Sequence, residues 1–377
     1  MESSGVDVLI LSTVEGHYSI ACAVEEALLP AGLSCHIAVC PDRILHLYRW
    51  FYRHFPSLLL VSYRFLEIPF SRYLVGLRLR GTYTRLLFEL LDRHRPRILV
   101  CTNYAFEPSI ARHRARIPIP YVNVVTDPRT FFRINLSTAA DVNCMFDRQV
   151  ADAFHRLRPR ARTVVTGWLV RAQFTPPADR GQAKADRGLR PDVFTILVAA
   201  GSEGSSQVMN ILPGIVTVRR PVQIVVACGN NEVMRGQVEA MGRALAASAS
   251  PVTLIALSFT REIHRDMQAA DLVVGKAGPN MLFESVAVGA PFFAITHVHG
   301  QEDGNLDIIH DYCLGFVEEN PWRARMLLRA IIEGRETLDR FLPPIRALAA
   351  QNSHAGPNVL RVVRELIARA APPAGRV

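Results

Sequence analysis

The sequence predicts an α/β protein built from two Rossmann-like, doubly wound domains facing a cleft. Short apolar runs rich in β-branched residues alternate with helical patterns along nearly the whole chain, as parallel strands with crossover helices do. That alternation lapses at Ala172–Asp192, where Pro176, Pro177, Gly181, Gly188 and Pro191 stand among charges, and then resumes. In both halves, strands run straight into glycine- or hydroxyl-rich turns that open helices, the arrangement that places ligands at the carboxyl ends of such sheets.

In the first half, Val6–Ser12 reads as a strand followed by a helix from about His17 to Leu29, and Ser34–Cys40 as the next strand. A long aromatic and basic region precedes a helix expected over about Leu79 to His94. Strands follow at Ile98–Cys101, Tyr121–Thr126, Val142–Phe146 and Thr163–Thr166. In the second half the strands are Phe194–Val198, Val222–Ala227, Val252–Leu257, Leu272–Val274 and Phe292–Thr296. The expected organisation is a first domain over 1–170, a linker over 171–192 and a second domain over 193–355. The helix at about Asn358–Ala370, in the segment 356–377, could cross back to brace the first domain.

A chain of 377 residues with 49% hydrophobic and 20% charged residues is long and apolar enough for two cores. The net charge of +9, carried mainly by arginine, suits nucleic acid, an anionic membrane or a phosphorylated substrate. No basic run with interleaved aromatics forms a nucleic-acid motif, so no nucleic acid is expected as a partner. Seven scattered cysteines without a Cys-x-x-Cys read as core residues in a reducing compartment and argue against structural zinc. With neither a signal-peptide pattern nor an apolar run of spanning length, the expectation is a cytoplasmic protein or one attached peripherally to the cytoplasmic side of the membrane.

The segment Gly275-Lys276-Ala277-Gly278-Pro279-Asn280 places a glycine turn at the start of a helix, where free N–H groups and the dipole favour phosphate. Glu284 falls on the first or second turn of that helix, within reach of a ribose diol. After the next strand, Gln301, Glu302 and Asn305 bring amide and carboxylate groups to helical spacing, the inventory for sugar hydroxyls. Phosphate, ribose and sugar together describe a nucleotide-sugar; an ordinary βαβ turn is the plain alternative. Gly201, Ser202, Gly204 and Ser205 form a second such turn after the strand ending at Ala199, suited to a diphosphate or to simple N-capping.

Ser12-Thr13-Val14-Glu15-Gly16-His17 also leads from a strand into a helix. A histidine there is held neutral by the dipole and can accept a proton from an attacking hydroxyl, unless it serves only as a polar cap. Asp127, in Thr126-Asp127-Pro128, either orients an acceptor or base or closes an Asx turn. The region Leu45–Tyr83, with Tyr48, Trp50, Phe51, Tyr52, Phe55, Tyr63, Phe65, Phe70, Tyr73 and Tyr83 mixed with Arg43, Arg49, Arg53, Arg64, Arg72, Arg78 and Arg80, suits an anionic membrane interface or a helical excursion packed on its own domain. No Asp-x-Asp pair occurs, so no metal or other cofactor is expected at a diphosphate; helix N-termini would meet leaving-group charge instead.

Lys276-Ala277-Gly278-Pro279, Glu284 and Gly300-Gln301-Glu302-x-x-Asn305 resemble the donor signature of the monogalactosyldiacylglycerol synthase and processive diacylglycerol glucosyltransferase group. That group belongs with the peptidoglycan lipid-intermediate N-acetylglucosaminyltransferase in one GT-B family. Cys228-Gly229-Asn230-Asn231, Val124-Val125-Thr126-Asp127, Val165-Thr166-Gly167, Tyr48-Arg49-Trp50 and His54-Phe55-Pro56 extend the resemblance over most of the chain. It implies a GT-B fold, a UDP-sugar donor, a lipid acceptor and inversion at the anomeric carbon without metal. It further implies diphosphate contacts at Gly201–Ser205, uracil contacts near Phe259, ribose contact by Glu284, sugar contacts by Gln301, Glu302 and Asn305, and His17 beside the acceptor hydroxyl. The sequence departs from the pattern at Val14-Glu15, at Asn280-Met281, where Gly-Thr is usual, and at His299, where proline is usual. A UDP-sugar epimerase or hydrolase would instead turn over its substrate in water, and a non-catalytic membrane-binding relative would bind no UDP.

Overall fold

The computed structural model describes residues 5–14, 16–40, 69–130, 137–199, 207–334 and 336–370. They form two compact units, the first comprising Met1–Ala172, Gln351–Val377 and the short tract His299–Gln301, the second Gln173–Val298 and Glu302–Ala350.

The first unit holds β1 (Val8–Ser12), α1 (Gly16–Leu28), β2 (Cys35–Val39), α2 (Pro69–His94), β3 (Ile98–Cys101), α3 (Glu107–His113), β4 (Tyr121–Val124), β5 (Val142–Met145), α4 (Arg148–Leu157) and β6 (Thr163–Val165). Its parallel sheet runs β2-β1-β3-β4-β5-β6. Val8–Leu11 and Ile98–Cys101 are wholly buried, which explains why these strands read as unbroken apolar runs instead of alternating ones. From β1 the chain goes to one side for β2 and returns to the other side for β3, so the switch point lies at the carboxyl ends of β1 and β3.

Helix α2 begins about ten residues before the expected start at Leu79. Proline is tolerated in a first turn, and the aromatic-rich run after it lacked the periodicity that marks a helix in sequence. The aromatic and arginine residues at 43–65 lie outside the described residues.

The second unit holds α5 (Arg180–Asp186), β7 (Phe194–Ala199), α6 (Gln207–Ile215), β8 (Val222–Gly229), α7 (Glu232–Ala247), β9 (Val252–Ser258), α8 (Ile263–Ala269), β10 (Leu272–Lys276), α9 (Pro279–Ala287), β11 (Phe292–Thr296), α10 (Asp303–Asp311), β12 (Gly315–Val317), α11 (Pro321–Ile332) and α12 (Leu342–Asn352). The parallel order β12-β11-β10-β7-β8-β9 is that of a Rossmann sheet, with its switch point between β7 and β10. β12 escaped the sequence reading because it is only Gly-Phe-Val. A Cβ on Gly315 (φ +153°) would fall 1.8 Å from the Phe292 carbonyl oxygen, so this edge strand reaches β11 only with glycine there.

The stretch 171–192, expected as linker, carries α5 and is fastened to the second unit. Buried Lys184 donates to Asp271 Oδ2 at 2.7 Å and to the Val193 carbonyl at 2.9 Å, while Arg187 holds the buried carboxylate of Asp266 at 2.8 Å. Its polar composition concealed a helix whose charges are paired.

The final helix, α13 (Ala355–Arg369), packs on α1 in the first unit. Asn352 Oδ1 accepts from the Trp168 N–H at 3.0 Å, Asn358 Nδ2 donates to Thr166 O at 3.1 Å, and Arg364 reaches Ala31 O at 3.1 Å. Gly167, at φ +87°, has Asn352 Oδ1 only 3.2 Å from where a Cβ would sit, which gives Val165-Thr166-Gly167 its physical reason.

Candidate active site

In the first unit the functional side chains gather at the β1/β3 switch point. Thr102, just past β3, donates from N to Leu11 O at 3.0 Å and from Oγ1 to Ser12 Oγ at 3.0 Å and His17 O at 3.2 Å. Asn103 Nδ2 donates to Thr13 Oγ1 at 2.9 Å, fixing the approach to α1. Neither Thr102 nor Asn103 stood out in sequence, because no motif marks a threonine whose work is done through its backbone carbonyl.

That carbonyl sets the state of His17. Thr102 O lies 2.8 Å from His17 Nδ1, and a carbonyl oxygen can only accept, so Nδ1 carries the proton. Thr126 Oγ1 lies 3.1 Å from the same nitrogen. In the neutral ring the lone pair then falls on Nε2, the tautomer required of a base. Asp127 follows Thr126 and is buried. Beyond it, Arg129 and Asp147 form a buried ion pair at 2.8 Å, and Asp147 also caps α4 through the Val150 N–H. A shallow recess of about 10 Å³, with room for about one water molecule, lies alongside, bordered by Ile20, Thr126, Phe146 and Trp168.

In the second unit, Lys276 and Gly278 stand at the β7/β10 switch point. Gly275 pairs with Ala199, and a Cβ there would lie 2.7 Å from Ala199 O and 3.0 Å from Met281 Sδ. Glycine thus lets the two central strands approach, with Met281 packed over the contact. Gly278 is the N-cap of α9 in extended conformation (φ −71°) and Pro279 occupies the first helical turn. Asn280 lies inside α9 and is not among the residues of positive φ, so the backbone there is one that asparagine adopts as readily as glycine.

Lys276, Glu302 and Asn305 act together. Lys276 Nζ and Glu302 Oε1 pair at 2.5 Å, Glu302 Oε2 accepts from Val298 N at 2.7 Å, and Asn305 Nδ2 donates to Ala277 O at 2.7 Å. Glu302 and Asn305 are buried, and both brace the turn that carries Lys276 and Gly278. Gln301 is half-buried, and Glu284 sits half-buried on the second turn of α9. Phe259, immediately past β9, is 56% exposed. Gly201, Ser202, Gly204 and Ser205 lie outside the described residues.

One strongly placed residue escaped the sequence reading. His297 follows β11 with a nearly buried side chain; Nδ1 lies 2.6 Å from Glu319 Oε1 and Nε2 2.9 Å from Asp303 Oδ1. Burial works against the charged ring, but the hydrogen bonds and charges of Glu319 and Asp303 outweigh it and raise its pKa. A histidine at the carboxyl end of a strand, as at His17, was the available signal.

Two such parallel sheets, one in each unit, make up the GT-B fold. Residues 195–306 match the glycosyltransferase family 28 C-terminal domain. Over 268 residues the chain is 24% identical to the processive diacylglycerol beta-glucosyltransferase of Bacillus licheniformis, covering 71% of this chain and 68% of the relative. The fold resembles that of MurG from Acinetobacter baumannii, with a TM-score of 0.60, 17% identity and coverage of 95% and 99% of the two chains. Anabaena HepE in complex with UDP-glucose superposes with a TM-score of 0.52, 14% identity and coverage of 96% and 99%. The protein therefore has a GT-B fold, and its residues 195–306 are similar to the family 28 C-terminal domain.

Proposed function

We propose that the protein is a membrane-associated, inverting glycosyltransferase that moves a hexose from a UDP-sugar to a lipid hydroxyl of the diacylglycerol type. The observation that carries this reading is the braced turn at Lys276–Gly278, set at the switch point of the sheet within the family 28 match. The relative in Bacillus licheniformis is named for a diacylglycerol acceptor, and the neighbour from Anabaena holds UDP-glucose.

His17 Nε2 takes the proton of the acceptor hydroxyl in the first unit. The oxygen then bonds to the anomeric carbon from the face opposite the leaving group, and the carbon–oxygen bond to the diphosphate breaks. UDP departs with the electron pair, and the imidazolium later releases its proton to water. The N–H groups at the start of α9 and the Lys276 ammonium meet the charge on the departing diphosphate, in a scheme that uses no metal. Asp127 beside Thr126 orients the acceptor or the base, Glu284 accepts from ribose, Phe259 lies against the base, and Gln301, Glu302 and Asn305 read the sugar. Gly201, Ser202, Gly204 and Ser205 complete the diphosphate contacts.

Among the described residues no helix is long and apolar enough to cross a membrane, and the reading assigns attachment to the cytoplasmic face through anionic lipid. The decisive assay supplies UDP-sugars singly to the purified protein with a lipid extract. Glycolipid product is expected with one of them, and absence of product from every UDP-sugar, with UDP still bound, would overturn catalysis by this chain.

A further inference from the structure

The imidazole of His297 joins three separate pieces of the second unit: the end of β11, the first residue of α10 (Asp303) and the segment after β12 (Glu319). The chain leaving this ring closes a turn in which Glu302 N donates to Val298 O at 2.8 Å and Val298 N donates to Glu302 Oε2 at 2.7 Å. Glu302 then reaches Lys276 with its other oxygen. His297 and Asp303 thus anchor the two ends of the turn, next in the chain to Val298 and Glu302, and the hydrogen bonds between those two and the Glu302–Lys276 pair carry on to the lysine at the switch point.

We propose that His297 is a positioning residue for donor binding: as an imidazolium held between Asp303 and Glu319, it keeps the Val298–Glu302 turn in the arrangement that sets Lys276 for a diphosphate. The inference rests on the reading of the second unit as the donor-holding half and adds to it a residue outside the recognised signature. Only the protonated ring can donate to both carboxylates at once; a neutral ring leaves one carboxylate facing a lone pair.

The direction of the pH effect follows from the charged groups that touch the ring. Glu319 and Asp303 both favour the cation, and the His299 imidazole stands within 4.8 Å of the same cluster on the turn that the ring steadies. β11 itself carries no charge, and Glu302 and Lys276 pair with each other. With the pKa raised from its ordinary 6.5, the double bridge is complete below that value and is lost as pH rises through the higher, folded-state pKa. Donor affinity should follow the same course.

The test is UDP-glucose binding to the full chain by calorimetry from about pH 6 to pH 8.5. A nucleotide-sugar is the suitable probe because its diphosphate is esterified at both ends, whereas a terminal phosphate would itself titrate near ~6. For the native protein the dissociation constant should rise roughly fivefold or more across the range. His297→Gln should bind weakly throughout with little pH dependence. Glu319→Gln, which keeps the ring and an acceptor but removes a charge, should move the midpoint to lower pH, a readout that separates positioning by the cation from simple packing. That variant also keeps the test open if His297→Gln fails to fold. A flat profile for the native protein, or an unmoved midpoint in Glu319→Gln, would overturn the proposal. Failure to bind UDP-glucose or any other UDP-sugar at any pH would instead overturn the donor-site reading beneath it.

Discussion

Replacing Lys276 with methionine isolates the pair that braces the candidate donor turn. Met preserves most of the chain length and removes the cation from a carboxylate whose side chain is 8% exposed, while that of Lys276 itself is 25% exposed. Breaking a fully buried pair costs about 3–5 kcal/mol, and partial solvent access to the lysine brings the expected loss to about 2 kcal/mol. In a unit of this size that corresponds to a fall in melting temperature of about 4–8 °C. Glu302→Gln removes the charge from the other side and keeps an acceptor for Val298 N. The double variant should recover much of the loss, giving a coupling of about 2 kcal/mol in a double-mutant cycle read by thermal unfolding. A coupling below about 0.5 kcal/mol would show that Lys276 and Glu302 do not depend on each other, and the account of the braced turn would fail.

Further measurements address other parts of the molecule. His17→Ala should lower kcat by about 10²–10⁴ while UDP-sugar binding is retained, and full residual turnover would remove His17 from the role of base. Gly275→Ala should cost about 1–3 kcal/mol of stability by forcing β7 and β10 apart, as read by denaturant unfolding; an unchanged midpoint would contradict the close approach to Ala199. Under native conditions a thiol reagent at pH 8 should label exposed Cys313 first. It should spare Cys40, Cys101 and Cys144, whose thiols burial pushes up to about 12; rapid labelling of those three would place them nearer the surface than described.

The two sheets were legible because parallel strands buried on both faces leave unbroken apolar runs, as Val8–Leu11 and Leu272–Val274 do. Turn chemistry at strand ends likewise marks His17, Lys276 and Gly278 in the sequence. What sequence hid was pairing. Lys184 and Arg187 made a helix look like linker because charges that meet partners across space read as solvated when taken in line. Glu302 and Asn305 stood out as sugar ligands by type and spacing, yet their hydrogen bonds to Val298 and Ala277 could be known only from the fold. The carbonyl of Thr102, which sets the tautomer of His17, has no sequence signature at all.

The packing of α13 on α1 has a consequence for synthesis on the ribosome. Gly16–Leu28 emerge well before their helical neighbour, Ala355–Arg369, and Gly167 must wait for Asn352. At about 5–20 residues per second, the roughly 180 residues separating Ala172 from Ala355 hold the first unit unfinished for about 10–40 s. Throughout that interval the apolar face of α1 lacks its cover, while the whole second unit is being made. The nascent first half therefore presents an adhesive surface to chaperones or to membrane lipid, and a helix translated after the whole second unit is the one that closes it.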